Sequence, residues 1–517
     1  MAESMIEPKA VNPLFNSRPL DVHRWSEFPE VKKAVEDLYV ELGFNNVNYK
    51  RILRVVLLDL YHSWRTDHTQ YVTYSRGENE YRGGTRYNKL RIKYDLLINT
   101  VDALVDAGYV EQWLGQYYRN EDKSTVGFHT RMRATKMLIR CIVIHKVKPK
   151  MISRYADEEH IVLRDVPEDI KKGKKTITIK KDIEDYKDNT YVTKIRKDLK
   201  AYNALLAKTY IDVDDENLTD SDAELLRSKE YALDLSRKTV HRVFNNNSWN
   251  EAGRFYGAWW MDCPKVLRKY ILLNGDPTVE LDYSGVHIHF LYAIEKINYS
   301  AENEDPYTLA EYPNRGLNKN IMLVALNANN DEDCIKGVWN NIRKESKKYG
   351  ITNHKQLKDI LTAIKAKHIR IKKYIASGYG VKLQNYDARI AEQVIQYFTS
   401  RNIPILSVHD SFICSSLDEH TLRDQMELLY VKQMKKFLNL SYESTMEEVH
   451  YDRDTVERVS VNDNIISVDR KALDVKKSSV PELLKMYSQG KRQLKWMLTG
   501  TTVFLGKVSN IEYTGGI

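Results

Sequence analysis

The sequence predicts an α+β protein made of two unequal parts. The first third of the chain has the pattern of a helix, a β-hairpin and a second helix, and the rest alternates apolar strands with amphipathic helices. Shifts in composition mark the boundaries. We therefore expect an N-terminal extension at 1–50, a compact module at 51–145, a basic linker with helices at 146–235, a larger core at 236–455 and a C-terminal extension of that core at 456–517.

The composition indicates a globular protein with an anionic partner. Lys and Arg number 80 against 71 Asp and Glu among 517 residues, which gives a formal charge of +9. Four scattered cysteines without Cys-x-x-Cys spacing predict neither a zinc site nor a disulfide framework, and they fit a reducing cytoplasm. No apolar run approaches the ~18 residues of a membrane span, so we expect a soluble protein with no membrane partner.

The module at 51–145 carries the helix and hairpin pattern. "KYDLLINTVDALVDAGYVEQWLG" places Leu97, Val101 and Leu104 on one helical face, and Gly108 follows where the helix should end. "YVEQWLG" and "GFHTRMRAT" then flank a polar tip, as the strands of a hairpin do. Helix, hairpin and helix together resemble a winged helix-turn-helix, which implies DNA contact; the alternative is a packing module with solvated charges. The candidate DNA-binding residues are Arg86, Lys89, Arg91, Lys93, Arg131 and Arg133.

The basic linker at 146–235 predicts one short strand and one long helix. "TITI" alternates like an exposed strand, and "TYVTKIRKDLKAYNALLAKTY" repeats Ile195, Leu199, Tyr202 and Leu206 at helical spacing. Lysines and an arginine occupy the opposite helix face. That face could lean against a nucleic-acid backbone, and packing alone explains the pattern equally well.

Two aspartates occur where apolar strands are predicted. "VHDSFIC" continues the apolar stretch "IPIL" and predicts a buried strand that carries His409 and Asp410. "PTVELDYSGVHIHFLYA" predicts a strand that passes into a helix, with Asp282 at the strand end. Two strand-borne carboxylates that converge would repel each other unless divalent cations bridge them. We therefore expect magnesium at this pair.

A third motif lies between the two aspartates. "NRGLNKNIMLVALNA" repeats Arg315, Lys319, Leu323 and Asn327 every four residues, and other positions supply an apolar face. Two cations one turn apart could grip a triphosphate. An ordinary amphipathic helix would give the same stripe, so the motif gains weight only beside the aspartates.

These motifs together resemble a known superfamily. "DYSGVHIHF", then R-x3-K-x7-N, then "VHDSF" occur in the order and spacing of the palm and fingers motifs of family A DNA polymerases and single-subunit phage-type RNA polymerases. "NEAGRFYGAWW" resembles the element before the first motif, and "LQNYDARIAEQVI" resembles the helix before the last. The resemblance covers about residues 235–420. It implies a right-hand polymerase core with an antiparallel palm sheet, helical fingers and thumb, and thumb-like helices within 146–235.

The resemblance also implies roles for single residues. Asp282 and Asp410 would hold two Mg²⁺ ions, with Mn²⁺ as an alternative. Arg315 and Lys319 would meet the incoming nucleoside triphosphate, together with Leu323 and Asn327 of the same stripe. The implied contacts with the template and the primer or product strand are His409, Arg254 and Gln384.

Departures from the family pattern concern the choice of sugar. His287 occupies the position where family A DNA polymerases have a glutamate that excludes the ribose 2′-hydroxyl, and Asn327 and Ala328 replace a tyrosine-glycine pair. "HDSF" and the missing glutamate favour ribonucleotide use, and a DNA-directed DNA polymerase of family A type is the alternative. His287 could either fill the space beside the sugar C2′ or hydrogen-bond to the hydroxyl.

Two functions from other classes remain open. One is a DNA-binding regulator on a degenerate polymerase fold, and the other is a metal nuclease, for which a phosphate-binding fingers motif has no use. The N-terminal third leaves no room for a proofreading exonuclease. A compact polymerase of this kind suits a phage or mobile element, and the sequence leaves template, initiation mode and oligomeric state open.

Overall fold

A computed structural model of the chain describes residues 16–81, 86–119, 125–172, 175–179, 182–183, 185–227, 233–299, 305–440 and 456–461. Within these residues the fold is mixed α+β and includes a curled antiparallel sheet, which confirms the predicted class at that level. The α-helices are α1 (Pro29–Glu41), α2 (Asn48–Thr66), α3 (Tyr94–Asp106), α4 (Lys136–Ile144), α5 (Thr190–Lys208), α6 (Asp220–Arg227), α7 (Trp259–Asp262), α8 (Lys265–Arg268), α9 (Val286–Ile294), α10 (Arg315–Asn327), α11 (Asp331–Ile342), α12 (His354–Lys367), α13 (Gly380–Ser400) and α14 (Glu419–Leu438).

The strands form one large sheet and several small ones. The strands are β1 (Ser17–Pro19), β2 (Arg24–Trp25), β3 (Tyr71–Tyr74), β4 (Val110–Trp113), β5 (Gln116–Arg119), β6 (Thr125–Phe128), β7 (Thr130–Ala134), β8 (Ser153–Arg154), β9 (Ile161–Leu163), β10 (Glu168–Lys172), β11 (Lys175–Ile179), β12 (Ile211–Val213), β13 (His241–Phe244), β14 (Ala252–Tyr256), β15 (Ile271–Leu273), β16 (Asp276–Tyr283), β17 (Ile405–Val408), β18 (Ser411–Ser415) and β19 (Val456–Val461).

The large sheet is antiparallel and is centred on β16. Its order is β12-β15-β16-β18-β17, and β19 also pairs with β16. The other sheets have the orders β1-β3-β7-β4 and β14-β13-β9, and β2–β8, β5–β6 and β10–β11 are two-stranded. β16 has hydrogen-bonded neighbours on both sides, and most of its side chains are buried. The central strand therefore offers a rigid place for a polar side chain at its end.

The N-terminal part has its own hydrophobic cluster, which runs from Val31 to Met151. The predicted helix is present as α3, its three apolar positions are buried, and Gly108 follows it with a φ of +78°. β4 pairs with β7 and β5 with β6, while the tip at 120–124 lies outside the described residues. The cluster begins before residue 51 because α1 packs against α2, so the boundary at 51 stays a prediction.

A buried ion cluster joins the N-terminal part to the remainder of the chain. Asp59 of α2 is fully buried and accepts hydrogen bonds from Arg18 Nη2 at 2.8 Å and Arg24 Nε at 2.6 Å. The other end of the Arg24 side chain donates to Ser236 Oγ at 3.1 Å. The two guanidinium groups compensate the buried carboxylate of Asp59. Removal of this carboxylate would leave the two buried arginines without a compensating negative charge. The cluster therefore holds α2 against the segment that precedes β13.

The remaining helices follow the sequence patterns closely. α5 buries the four predicted apolar positions, and α14 buries Leu422, Met426, Leu429, Tyr430 and Met434. "TITI" lies in β11, which pairs with β10. A second hydrophobic cluster, from Ile161 to Val456, contains these helices and the large sheet. Among the described residues, no helix is long and apolar enough to cross a membrane.

Candidate active site

Asp282 and Asp410 lie at the same end of the central strand ladder. Asp282 is the next-to-last residue of β16, and its register partner in β18 is Ser411. Asp410 immediately precedes Ser411 in the chain. The structure therefore brings together the two carboxylates that the sequence singled out.

The predicted buried strand with His409 and Asp410 is wrong in one respect. The apolar run is two strands, β17 and β18, and the two polar residues form the turn between them. His409 has a φ of +59°, which is typical of the first central residue of a two-residue hairpin loop and cannot continue a strand. Because neither turn residue is Gly or Asn, the sequence lacked the usual signal. The turn explains how two ionisable side chains can follow a buried strand.

The environment of Asp282 disfavours its charged form. Burial, followed by the charge of Asp410, raises the pKa of the Asp282 carboxyl to about 7. Its Oδ1 is buried and has no hydrogen-bond partner in the described part of the chain. A buried acceptor of this kind is costly unless a cation or donor meets it. The pair therefore fits a divalent cation.

Glu280 faces the same side of β16 but is already compensated. Arg268 donates to it through Nε at 2.9 Å and Nη2 at 2.8 Å, and Ser411 Oγ donates at 2.8 Å. Across the described ranges, no group of three or more His, Cys, Asp and Glu side chains is arranged to hold a metal ion. The metal candidate is thus a carboxylate pair. Sequence reasoning missed Glu280, although strand alternation from Asp282 would have found it.

His409 lies against Tyr256 beside the carboxylates. The two rings meet edge to face with centroids 5.4 Å apart. Burial, and then the charge of Arg254, lowers the pKa of the His409 imidazole. A neutral ring next to Asp410 can accept or donate one hydrogen bond without adding charge. Its proximity to a primer end stays a prediction.

Asp387 connects two residues that the sequence had named separately. His287 Nε2 lies 2.7 Å from Asp387 Oδ2, and Arg254 Nε donates to Asp387 Oδ1 at 3.1 Å. Burial would raise the pKa of Asp387, but Arg254 and His287 hold it below its usual value. Sequence reasoning missed Asp387. The available signal was an acidic residue four positions after Leu383, on the apolar face of α13.

The predicted stripe on α10 is exposed along its whole length. Arg315, Lys319, Leu323 and Asn327 all face solvent, while the opposite positions are buried. Asn314 caps the helix by accepting from the Leu317 amide at 3.0 Å. This face of α10 is therefore open to solvent, although Arg315 pairs with Asp305 and Asn327 accepts from Gln384.

Tyr307 links this stripe to the carboxylate pair. Its ring centroid lies 5.3 Å from the Arg315 guanidinium and 5.6 Å from Lys319 Nζ. Burial and Asp305 raise the pKa of the Tyr307 hydroxyl to about 12, and the charges of Asp410 and Asp282 add to the rise. The phenol is thus close to the two cations and within electrostatic range of the two carboxylates. Sequence reasoning did not single out Tyr307, because nothing in "EDPYTLA" marks it.

Gln384 is held against the end of α10. Its Nε2 donates to Asn327 Oδ1 at 2.9 Å. A Cβ at Gly380 would lie 2.6 Å from the carbonyl oxygen of Leu326, so only glycine permits this close approach of α13 to α10. The contact of Gln384 or Arg254 with a template–product duplex stays a prediction.

The candidate DNA-binding residues of the N-terminal part fall into two groups. Three arginines are engaged inside the protein: Arg86 stacks on Tyr186, Arg131 is buried and donates to the His129 carbonyl, and Arg133 pairs with Glu111. Lys89, Arg91 and Lys93 are exposed, and the structure gives them no ion pair among the residues it describes. DNA contact by either group stays a prediction.

Two cavities lie away from this site. They have volumes of about 600 and 530 Å³ and are lined by residues near the buried ion cluster, including Arg154 and Glu158. Neither is lined by Asp282 or Asp410. Their charged lining groups pair with one another, as Arg154 does with Glu158 at 2.7 Å. The candidate site is therefore the carboxylate pair.

Comparison of the chain with protein-family models and with curated protein sequences found no match.

Proposed function

We propose that the chain is a template-directed polymerase that adds nucleotides to a 3′-hydroxyl. One observation carries the proposal: Asp282 and Asp410 meet at one end of the β16–β18 ladder, and a buried oxygen of Asp282 lacks a partner among the described residues. A carboxylate pair on a rigid ladder is the ligand set that two-metal phosphoryl transfer requires.

In this proposal Asp282 and Asp410 hold two Mg²⁺ ions, with Mn²⁺ as an alternative. When bound, the metals would supply Lewis-acid activation of the 3′-hydroxyl and neutralise the triphosphate. The protein's own contribution is to keep two carboxylates close despite their repulsion. Arg268 assists by pairing with Glu280, a third carboxylate whose charge also raises the pKa of Asp282.

Lys319 is the strongest candidate for contact with the triphosphate. It is exposed and has no ion pair among the described residues, whereas Arg315 pairs with Asp305 at 2.6 Å. Phosphate binding by Arg315 must therefore compete with Asp305. Lys319 can move its ammonium group toward a phosphate without breaking an ion pair.

The architecture can be assigned in the same terms. The large sheet is the palm, α10 to α13 are the fingers, α5 belongs to the thumb-like helices, and α3, the β4–β7 strands and α4 are a winged helix. The exposed Lys89, Arg91 and Lys93 favour one alternative, a DNA-binding regulator that uses this module on a degenerate polymerase fold.

For the sugar, we propose ribonucleotide use, with deoxyribonucleotides as the alternative. The support is that Asp387 fixes His287 Nε2. An imidazole fixed in this way can offer its other nitrogen to a 2′-hydroxyl.

The test is a primer-extension assay with the full chain. A labelled DNA or RNA primer on its template is incubated with Mg²⁺ and with dNTPs, with NTPs or without nucleotide. The proposal expects stepwise extension that chelation of the metal abolishes. Binding without extension would favour the regulator, and shortening of the primer in all three arms would favour a nuclease.

A further inference from the structure

The basic charge of the chain is concentrated in one segment. Residues 331–373 contain twelve Lys and Arg against five Asp and Glu, which is a net +7 of the chain's total of +9. This segment comprises α11, α12 and the turns beside them. The excess of lysine and arginine is thus a local property of this part of the fold.

Five of these cations lie together around the loop between α11 and α12. Several other lysines of the segment pair with acids, such as Lys336 with Glu332 at 3.8 Å and Lys373 with Glu295 at 2.9 Å. The five are exposed, and none has an ion pair within the described residues. We call them the basic tip: Arg343, Lys344, Lys347, Lys355 and Lys358.

The basic tip stands on a packed scaffold. Ile342, Ile351 and Leu357 are buried beneath it, and the Trp339 and His354 rings meet edge to face at 5.2 Å. Lys355 and Lys358 lie in the first two turns of α12, where the helix dipole disfavours cations. The stability of α12 therefore does not explain the presence of Lys355 and Lys358 at these positions.

Helix α12 connects the basic tip to the candidate active site. At its far end Lys367 Nζ donates to the carbonyl oxygens of Asp305 and Thr308, both at 2.8 Å, on either side of Tyr307. With a rise of about 1.5 Å per residue, Lys358 and Lys355 lie roughly 14 and 18 Å from Lys367 along the helix. Counted from Lys367, that distance corresponds to about five nucleotides of a strand stacked at ~3.4 Å each.

We propose that the basic tip binds the phosphate backbone of a nucleic-acid strand that extends about five or more nucleotides beyond the active site. The assignment of this strand as the template rests on the proposed function; the binding itself does not require catalysis. An anionic membrane fits less well, because no large apolar side chain between Arg343 and Lys358 is exposed for insertion, and the exposed Ile369 lies at the other end of α12.

The test measures binding without nucleotide, on primer–template duplexes whose single-stranded extension is about 2, 5 or 12 nucleotides long. The wild-type chain should bind more tightly as the extension lengthens. The variant Lys347→Gln, Lys355→Gln, Lys358→Gln should lose most of this gain, and its salt slope should fall by about 2, or ~0.7 for each lost contact.

Two matched variants separate position from charge. Lys32→Gln, Lys33→Gln, Lys50→Gln removes three lysines that pair with acids elsewhere, and it should keep the gain. Arginine at the three tip positions should also keep it. Two results would overturn the inference. One is a tip variant that still binds more tightly as the extension lengthens, and the other is a control variant that loses this increase in affinity to the same extent. Loss of binding to anionic-lipid vesicles with nucleic-acid binding intact would assign the tip to membranes instead. Primer extension, measured separately, reports on the proposed function alone.

Discussion

His287 Nε2 lies 2.7 Å from Asp387 Oδ2, so an imidazole from the first turn of α9 is fixed to a carboxylate on α13. Asp387 also accepts a hydrogen bond from Arg254. Burial lowers the pKa of Arg254, but the charges of Asp387 and Asp410 outweigh it and raise that pKa. His287 and Arg254 therefore share the Asp387 carboxylate, and Arg254 also interacts electrostatically with Asp410, the candidate metal ligand. The other ring nitrogen of His287, Nδ1, has no protein partner among the described residues.

This relationship leads to a prediction about sugar choice. If His287 Nδ1 hydrogen-bonds to the ribose 2′-hydroxyl, His287→Ala should lower the kcat/KM ratio of NTP to dNTP about tenfold, because a site built for a hydroxyl loses its partner. Matched nucleotide pairs on one template give the ratio. A rise would instead mean that the imidazole blocks ribose, and an unchanged ratio would remove His287 from sugar selection.

The second prediction concerns Lys319. If the charge of Lys319 meets the phosphates as negative charge develops, Lys319→Ala should slow nucleotide addition by ~10² or more at saturating nucleotide. Single-turnover kinetics measure the rate. Lys336→Ala is the control, since Lys336 is exposed on the neighbouring α11 and pairs with Glu332. Equal rates for the two variants would make α10 a structural helix.

The third prediction concerns DNA contact by the N-terminal part. The variant Lys89→Gln, Arg91→Gln, Lys93→Gln should weaken duplex binding and lower its salt slope by up to about 3, because each phosphate contact contributes ~0.9. Arg133→Gln should leave the slope unchanged, since Arg133 pairs with Glu111 at 2.6 Å. A salt slope that the triple variant does not alter would leave this part with a packing role or a protein partner.

The fourth prediction concerns stability in acid. Burial, aided by the charge of His160, lowers the pKa of His241 to about 4, whereas the unfolded value is about 6.5. Between these values the unfolded chain binds more protons, so stability falls as the pH falls. The loss from His241 should reach about 2 kcal/mol between about pH 7 and pH 5.

Urea denaturation of the wild type and of His241→Gln at both pH values tests this expectation. The wild type should lose about 2 kcal/mol more than the variant on acidification. An equal loss in both proteins would show that His241 does not control the response. Other buried histidines contribute to both proteins, so the difference isolates His241.

The parts of the site that the sequence predicted depend on local pattern. Strand alternation and the turn after it place Asp282 at the end of β16, and the four-residue repeat predicts the exposed stripe on α10. Both features are set by residues close in the chain. The structure confirms these local features, while the roles of the residues stay predictions.

The parts that the sequence did not predict depend on contacts between distant segments. Asp387 lies 100 residues from His287 and 133 from Arg254, so no local pattern reveals their shared carboxylate. Tyr307 gains its position from packing against α10. Arg133 appeared as a free cation in the sequence because its partner Glu111 is in the opposite strand of the hairpin. Tertiary pairing decides which charges are available.

The most direct test of the account is the activity of Asp282→Asn and Asp410→Asn in primer extension, with Asp418→Asn as a control for a carboxylate next to the same ladder. Each of the first two should abolish nucleotide addition and leave nucleic-acid binding nearly unchanged. The melting temperature of Asp282→Asn should not fall, because burial and the charge of Asp410 already disfavour the charged form of Asp282. Asp418→Asn should extend primers like the wild type. Full extension by either Asp282→Asn or Asp410→Asn would contradict the two-metal site.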